Sequence, residues 1–340
     1  RHYLREPIDN WNNPALTDQI LCFSTRSGKT RILFVGAAWR IRHNPLRCLW
    51  TKPAPHGPGG ARNDSQTKFL PMLRASPSLA KLIPSGALRH DFTTLQQMIG
   101  GTIIDWTGTG SAKQLSSNPC DVTIQDEIDG YKETGDSEAH PCILIDERTK
   151  DSSIPFRIKA STPTLETGLI WQWLMKSDLR RRFVPCPHCG RHHPKSRMMI
   201  LAWSEQFTVL PQKGIDGSLL PIAYVRWADD AKRKDGTWDL DRVVATAHVV
   251  CPHCKGQVRD SDRVWMDARG EWRPTQRGAR GIAGYHLNSL YISHRETQFG
   301  QLARKFLLAK EDVQGLRGFI KNDLAEADIT QEFSRNRIEI

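Results

Sequence analysis

The chain has 340 residues with a formal net charge of +11, and 39% of its residues are apolar and 25% charged. This composition is that of an ordinary folded protein, and no apolar run approaches the ~20 residues that span a bilayer, so the sequence predicts no membrane partner. The positive charge favours a polyanionic partner, with nucleic acid as the first candidate, and the length predicts about two domains.

The first motif is a short apolar segment followed by a loop of the phosphate-binding type. Residues 19–23 predict a strand, residues 24–30 end in Gly-Lys-Thr, and residues 31–40 predict a helix. In such a loop Ser27 and Gly28 would cradle phosphates with backbone N–H groups, Lys29 would reach the β- and γ-phosphates, and Thr30 would ligate Mg²⁺. Phe23 stands where the full pattern has a glycine, and Gly-Lys-Thr also occurs by chance, so the motif alone is not decisive.

The next segments alternate between strand-like and loop-like composition. Residues 47–50 and 101–106 predict two further strands, while residues 51–62 are rich in proline and glycine and predict an exposed loop. Residues 66–84 have apolar side chains at helical spacing, interrupted by prolines.

In an acidic stretch at residues 121–131 a β-prone segment is followed by three carboxylates, those of Asp126, Glu127 and Asp129. Asp126 and Glu127 are adjacent, and two like charges are costly to desolvate together unless a cation or a reacting group neutralises them. In a nucleotide hydrolase Asp126 would hold Mg²⁺ and Glu127 would activate the attacking water. A solvated loop is the alternative. Asp129 with Gly130 predicts a turn that positions the loop toward Thr162.

A third polar motif follows the predicted strand at residues 154–160. The segment Ser161-Thr162-Pro163-Thr164 lies where open α/β sheets place their ligand crevice, so Thr162 is a candidate sensor of the γ-phosphate. Capping of a helix at residues 168–176 is the other interpretation. The order of the three motifs predicts an α/β fold of the RecA-like P-loop (ASCE) ATPase type, with a mainly parallel sheet flanked by helices.

Two nearly identical C-P-H-C peptides predict a metal site. Four thiolates in this spacing close a tetrahedral structural Zn²⁺ site, and the ligands are Cys186, Cys189, Cys251 and Cys254. Residues 195–248 between them predict a β-rich insertion, and His188 and His253 are expected at exposed positions. Basic residues flank the first peptide and predict either a DNA-backbone patch or a solvated face; they are Arg180, Arg181, Arg182, Arg191, His192, His193, Lys195 and Arg197.

The remaining residues predict a final strand within 284–291 and two helices at about 297–311 and 313–325. His286 and Asn288 are expected to be satisfied buried groups. The late acids are expected to be solvated; they are Asp323, Glu326, Asp328 and Glu332. The other four cysteines are expected to be buried; they are Cys22, Cys48, Cys120 and Cys142.

An ordered set of these segments resembles the large terminase subunit of lambda-type tailed phages, the GpA family. The similar segments run through nearly the whole chain and are Tyr3 to Arg5, Ser27 to Thr30, Asp126 to Tyr131 with Gly135-Asp136, Ser161 to Thr164, Ser177-Asp178, Arg182 to Gly190, the second C-P-H-C, Gly284 to Tyr291 and Phe319 to Glu326.

The resemblance implies an ATPase, converting ATP and water to ADP and phosphate, that is stimulated by DNA and drives double-stranded viral DNA into a procapsid. It implies ATP, Mg²⁺ and structural Zn²⁺ as ligands. The implied partners are the portal protein and a small terminase subunit, with a homo-oligomeric ring on the portal and the host cytoplasm as location. The family's nuclease domain is expected to lie outside these residues, so no cutting is assigned to them.

The resemblance also implies residue roles: Lys29 and Thr30 bind phosphate and Mg²⁺, Asp126 completes the metal site, Glu127 activates water, and Thr162 couples phosphate loss to movement. Arg26 is a candidate arginine finger in cis.

The predicted division is an ATPase core at residues 1–182, a zinc-ribbon insertion at 183–260, and a final strand with C-terminal helices at 261–340. Two other functions stay open at this point, namely a helicase-like nucleic-acid ATPase and a zinc-stapled DNA-binding or assembly protein that no longer hydrolyses ATP.

Overall fold

The computed structural model describes residues 1–84, 93–110, 115, 119–132 and 139–328. Within these ranges thirteen strands form one sheet. The strands are β1 (Asp18–Phe23), β2 (Cys48–Lys52), β3 (Gln96–Ile99), β4 (Thr102–Gly108), β5 (Val122–Asp126), β6 (Phe156–Ser161), β7 (Arg180–Pro185), β8 (Met198–Ala202), β9 (Ile222–Arg226), β10 (His248–Val250), β11 (Gln257–Val258), β12 (Glu271–Pro274) and β13 (Ile282–Leu287).

The helices lie between these strands. They are α1 (Arg5–Asp9), α2 (Lys29–His43), α3 (Ala61–Asp64), α4 (Leu70–Ala75), α5 (Pro77–Ala80), α6 (Pro141–Asp146), α7 (Leu169–Lys176), α8 (Leu240–Thr246), α9 (Arg263–Arg269), α10 (Phe299–Ala309) and α11 (Val313–Phe319), with π-helical turns at Ser65–Phe69 and Ile320–Leu324. No helix of the described ranges is long and apolar enough to cross a membrane.

The strands run in the order β11-β10-β9-β8-β7-β13-β1-β6-β5-β2-β4-β3, and β12 pairs with β7. The seven strands from β7 to β4 in this order are parallel to their neighbours. Their carboxyl ends therefore meet at one edge of the sheet, where the loops after β1, β5 and β6 carry the predicted motifs. The mixed α/β fold with a large, mostly parallel sheet was predicted correctly.

Helices cover both faces of the central strands, and every residue of β1, β2 and β5 is therefore buried. On β1, Leu21 and Phe23 pack into the core that contains α2, whereas Ile20 and Cys22 pack into a second core that contains α7. The four lone cysteines are buried, as predicted.

The zinc-ribbon segment extends the main sheet, because β7 pairs with β8 and the strands β8 to β11 continue from it. The C-terminal segment supplies β13, which lies beside β1 in the middle of the sheet. The three predicted parts thus share one sheet, and their division at residues 182 and 260 stays a prediction.

The predicted DNA patch is wrong for the arginines that precede the first C-P-H-C peptide. Arg181 and Arg182 are 2% and 4% exposed, and Arg182 pairs with Asp267. Arg180 is half-buried between Asp178 and Glu6. These side chains lie on β7, inside the sheet, so they cannot present a row of charges to DNA. The basic residues after the peptide are exposed; they are Arg191, His192, His193, Lys195 and Arg197.

The prediction that the late acids are solvated is also wrong. Asp323 and Glu326 are 6% and 4% exposed, and Asp328 pairs with Arg317. They are buried because the chain after α11 turns back over the carboxyl ends of β1 and β13. Gly135, Asp136 and Glu332 lie outside the described residues.

Candidate active site

The loop between β1 and α2 has the geometry of a phosphate-binding turn. Gly28 adopts φ +113°, a left-handed conformation that favours glycine, and α2 begins at the next residue. The first N–H groups of a helix have no partner within it, so this turn presents donors and the positive end of the helix dipole. Leu4 packs against Gly28, and the Tyr3 hydroxyl donates to the Ser27 carbonyl (3.0 Å), so the N-terminal segment braces the loop.

Lys29 lies at the centre of this edge of the sheet. Its Nζ donates to the carbonyl oxygens of Phe23 (2.8 Å) and Ser24 (3.0 Å) and to the Thr162 hydroxyl (2.9 Å). Burial lowers the pKa of Lys29 to about 8, although Asp126, the Cys22 thiol and Glu127 oppose this shift. A cation held by neutral oxygens is well placed to exchange them for phosphate oxygens, which carry charge.

The two adjacent acids occupy different environments at the end of β5. Asp126 is 2% exposed, and one carboxylate oxygen accepts a hydrogen bond from Lys52 Nζ at 2.8 Å. Glu127 is exposed and adopts φ +61°, an uncommon conformation for a residue with a side chain. Its backbone N–H donates to the Ala160 carbonyl at 2.7 Å. Strain of this kind is concentrated at functional sites, and here it turns the second acid away from the strand direction.

Asp129 is a positioning residue for the third motif. One of its carboxylate oxygens accepts from the Thr164 backbone N–H (2.9 Å) and hydroxyl (2.7 Å), and the other accepts from the Ile170 N–H (2.8 Å). The carboxylate therefore joins the turn after β6 to the first turn of α7. This contact agrees with the expectation that Asp129 orients its loop toward the Thr162 turn.

Lys29, Glu127 and Asp129 line one open pocket of about 620 Å³, a volume within the ~300–1,000 Å³ of small-molecule sites, whereas Asp126 is not part of its wall. Its wall is formed by residues 25–31, by Glu127, Asp129 and Gly130, and by Ser161, Thr162 and Thr164. The first motif ends at Thr30, the second begins at Asp126 and the third begins at Ser161, and the parallel sheet brings them together. Arg26 also lines this pocket, is exposed, and adopts φ +55°.

The four predicted metal ligands form a compact thiol cluster. All four sulfur atoms lie within 4.8 Å of one another, with Cys186 and Cys254 at 3.8 Å and Cys189 and Cys251 at 3.9 Å. Tetrahedral Zn²⁺ with Zn–S bonds of ~2.3 Å requires sulfurs ~3.8 Å apart, so the cluster fits zinc, whereas a disulfide requires ~2 Å. His188 and His253 are exposed and contact the backbone carbonyls of Gln257 and Met198.

Residues that are distant in the sequence also reach the site, and no sequence motif predicted them. Lys52 at the end of β2 contacts Asp126, and Asp64 on α3 contacts Lys52 in turn. The Asn322 carbonyl accepts from the Thr25 backbone N–H, and the Asp328 N–H donates to the Thr164 carbonyl, so the C-terminal segment touches both the first and the third motif. The only local sequence feature that points to a role for Lys52 is its position, as a charged residue at the end of the apolar segment that forms β2.

Comparison with known proteins identified one matching family and two similar solved structures. The family described as "Phage terminase large subunit gpA, ATPase domain" matches residues 2–272. Among solved structures, the large terminase ATPase domain of Thermus phage P74-26 aligns with 9% identity and a TM-score of 0.46, over 94% of this chain and 92% of that chain. A mutant of that domain aligns with 10% identity and a TM-score of 0.45, over 92% and 90%. No curated protein matched the chain.

Proposed function

Because this chain belongs to the ATPase-domain family of the phage terminase large subunit gpA, we propose that it is the ATP-hydrolysing motor part of a DNA-packaging terminase, translocating double-stranded viral DNA into a procapsid. The observation that carries the hydrolytic part of this proposal is the convergence of Lys29, Glu127 and Thr162 on one pocket. A protein that had lost hydrolysis would have no need to keep a strained carboxylate facing that pocket.

Each polar side chain of the pocket has a definite task in this proposal. Ser27, Gly28 and Lys29 bind the phosphates, with Lys29 exchanging the Phe23 and Ser24 carbonyls for phosphate oxygens. Glu127, exposed at the pocket wall, takes the proton from the attacking water. A positioned carboxylate base contributes ~10²–10⁴-fold to such a step.

Thr162 is placed to report loss of the γ-phosphate. Its hydroxyl accepts from Lys29 and donates to the Phe23 carbonyl at 3.3 Å, so it bridges the first and third motifs. A shift of Lys29 after phosphate release would pull this turn, and Asp129 would pass the movement to α7 through Thr164 and Ile170. Arg26 is proposed as the arginine finger in cis, because it lies on the same pocket wall.

We propose that Thr30 and Asp126 hold the divalent cation. The Asp126 oxygen that does not face Lys52 accepts no hydrogen bond from any described residue. The Asp126 carboxylate also opposes the lowering of the Lys29 pKa, which places its charge near the phosphate-binding amine. A bound Mg²⁺ would offset the negative charge that develops on the phosphates.

The wider role involves a nucleic acid and other proteins. The net charge of +11 and the exposed basic residues beside the zinc cluster support contact with the DNA backbone. We extend the proposal to DNA-stimulated turnover, to docking on the portal as a homo-oligomeric ring with a small terminase subunit, and to the host cytoplasm as location. The thiol cluster would hold structural Zn²⁺, which would fasten the ends of residues 186–254 together.

The direct test is ATP turnover with and without duplex DNA, comparing the wild type with Lys29→Ala. We expect DNA to stimulate the wild type and Lys29→Ala to abolish turnover, because the pocket loses its phosphate-binding cation. Equal turnover in both proteins, or none in the wild type with DNA, would refute the proposal. A strand-separation assay on the same samples distinguishes a packaging ATPase, which leaves duplex DNA intact, from a helicase.

A further inference from the structure

We propose that Lys52 is the counter-cation of Asp126 when no metal is bound. Its amine pairs with one oxygen of the Asp126 carboxylate and so competes with the divalent cation for that carboxylate. Asp64 weakens this competition because it offers the amine a second carboxylate. Lys52 is thus a positioning residue that sets how tightly the site holds its metal. The inference rests on the proposed ATPase function, because it assumes that Asp126 serves a bound metal.

The contacts of Lys52 place it between two carboxylates. Its Nζ lies 2.8 Å from Asp126 Oδ2 and 3.0 Å from Asp64 Oδ2. Asp64 also pairs with Lys68 at 2.6 Å. Lys52 is the last residue of β2, which is the neighbour of β5, so the amine reaches Asp126 across adjacent strand ends.

All three central groups are buried. The side chains of Lys52, Asp64 and Asp126 are each 2% or 3% exposed. The Lys52 amine lies within 3.0 Å of both carboxylates, and two anions this close favour its charged form. A charge this deeply buried interacts strongly with its neighbours.

The charge balance around Lys52 changes when a metal ion binds. Without metal, Lys52 neutralises Asp126, which would otherwise be a buried charge with no counter-ion. When a divalent cation shares Asp126, Lys52 and the cation repel each other, and Asp64 offers the amine a second carboxylate at nearly the same distance.

The test measures metal affinity directly, with Mn²⁺ as probe. Free Mn²⁺ is titrated by electron paramagnetic resonance against protein that is saturated with ADP, for wild type, Lys52→Met and Asp64→Asn. We expect Lys52→Met to bind Mn²⁺ about tenfold more tightly, because the competing charge is gone. We expect Asp64→Asn to bind several-fold more weakly, because Lys52 then stays on Asp126. Opposite signs from two residues of one cluster are not produced by a general loss of structure.

Lys159 supplies a matched control. It is a fully buried lysine on β6 that also lies between two carboxylates, those of Asp18 and Asp146. Lys159→Met should lower the free energy of unfolding as Lys52→Met does. Its Mn²⁺ concentration at half-saturation should stay within twofold of the wild-type value.

The outcomes separate this inference from the proposed function. If wild type with ADP binds no Mn²⁺, the ATPase proposal fails and this inference falls with it. If wild type binds Mn²⁺ but Lys52→Met is unchanged or weaker, or Asp64→Asn is unchanged or tighter, only the counter-cation role is overturned. Should Lys52→Met fail to fold, the direction of the Asp64→Asn shift decides alone.

Discussion

Replacing Glu326 by glutamine should make the protein less sensitive to alkaline pH. Glu326 follows α11, is 4% exposed, and accepts a hydrogen bond from the Val209 N–H at 3.2 Å. Its Oε1 lies 3.8 Å from Nε2 of His286. Burial raises the pKa of Glu326 to about 8, against the pull of Arg181 and two backbone N–H groups. Burial and Arg181 lower the pKa of His286 to about 3.

The two groups affect stability in opposite directions. Between about pH 4.5 and 8 the folded protein keeps the Glu326 proton that the unfolded chain releases, so stability falls as the pH rises. Between about pH 3 and 6.5 the unfolded chain binds a proton at His286 that the folded protein does not, so stability rises with pH. The two slopes oppose each other from pH 4.5 to 6.5. From pH 6.5 to 8 only the Glu326 slope remains, and it lowers the free energy of unfolding by about 1.5 kcal/mol.

Glutamine keeps the shape of the side chain and does not titrate. The free energy of unfolding of Glu326→Gln, relative to the wild type, should therefore increase by about 1.5 kcal/mol between pH 6.5 and 8. Urea denaturation at half-unit pH steps measures this difference. Glu311→Gln, at an exposed position, is the control and should give a constant difference. Parallel curves for the wild type and Glu326→Gln would mean that Glu326 is ionised in the folded protein, which refutes the reasoning.

Three further changes test the pocket and the thiol cluster. Glu127→Gln should lower kcat for ATP by about 100-fold or more while nucleotide affinity is retained, because it removes the base and leaves the phosphate loop intact; near wild-type turnover would exclude Glu127 as the base. Asp129→Ala should lower the free energy of unfolding by about 3 kcal/mol, because it leaves the N–H groups of Thr164 and Ile170 without their carboxylate acceptor. A loss under about 0.5 kcal/mol would show that the Asp129 carboxylate does not stabilise this turn. Cys254→Ser should reduce zinc, measured by elemental analysis, from one ion per chain to much less than one and lower the melting temperature, whereas a zinc-free wild type would remove the metal site altogether.

The local motifs could be predicted because neighbouring residues determine them. Apolar runs bounded by small or polar residues predicted β1, β5 and β6, and Gly-Lys-Thr predicted the start of a helix. The C-P-H-C peptides predicted four thiols in one cluster, and all four sulfurs lie within 4.8 Å of one another. The backbone geometry of a few consecutive residues decides each strand, loop and C-P-H-C turn. The meeting of the two C-P-H-C peptides was predicted because one tetrahedral metal ion needs four ligands.

The sequence by itself therefore determined the fold class, the order of the motifs and the four members of the thiol cluster. Only the tertiary structure decided which charges are buried and which of them meet. Arg181 and Glu326 are charged residues of the kind that usually lies on the solvated surface. Both are nevertheless buried, because β7 and the returning C-terminal segment place them inside the protein. Lys52 meets Asp126 only because β2 and β5 are neighbours in the sheet. Strand pairing depends on the packing of the whole core, and no short stretch of sequence contains that information.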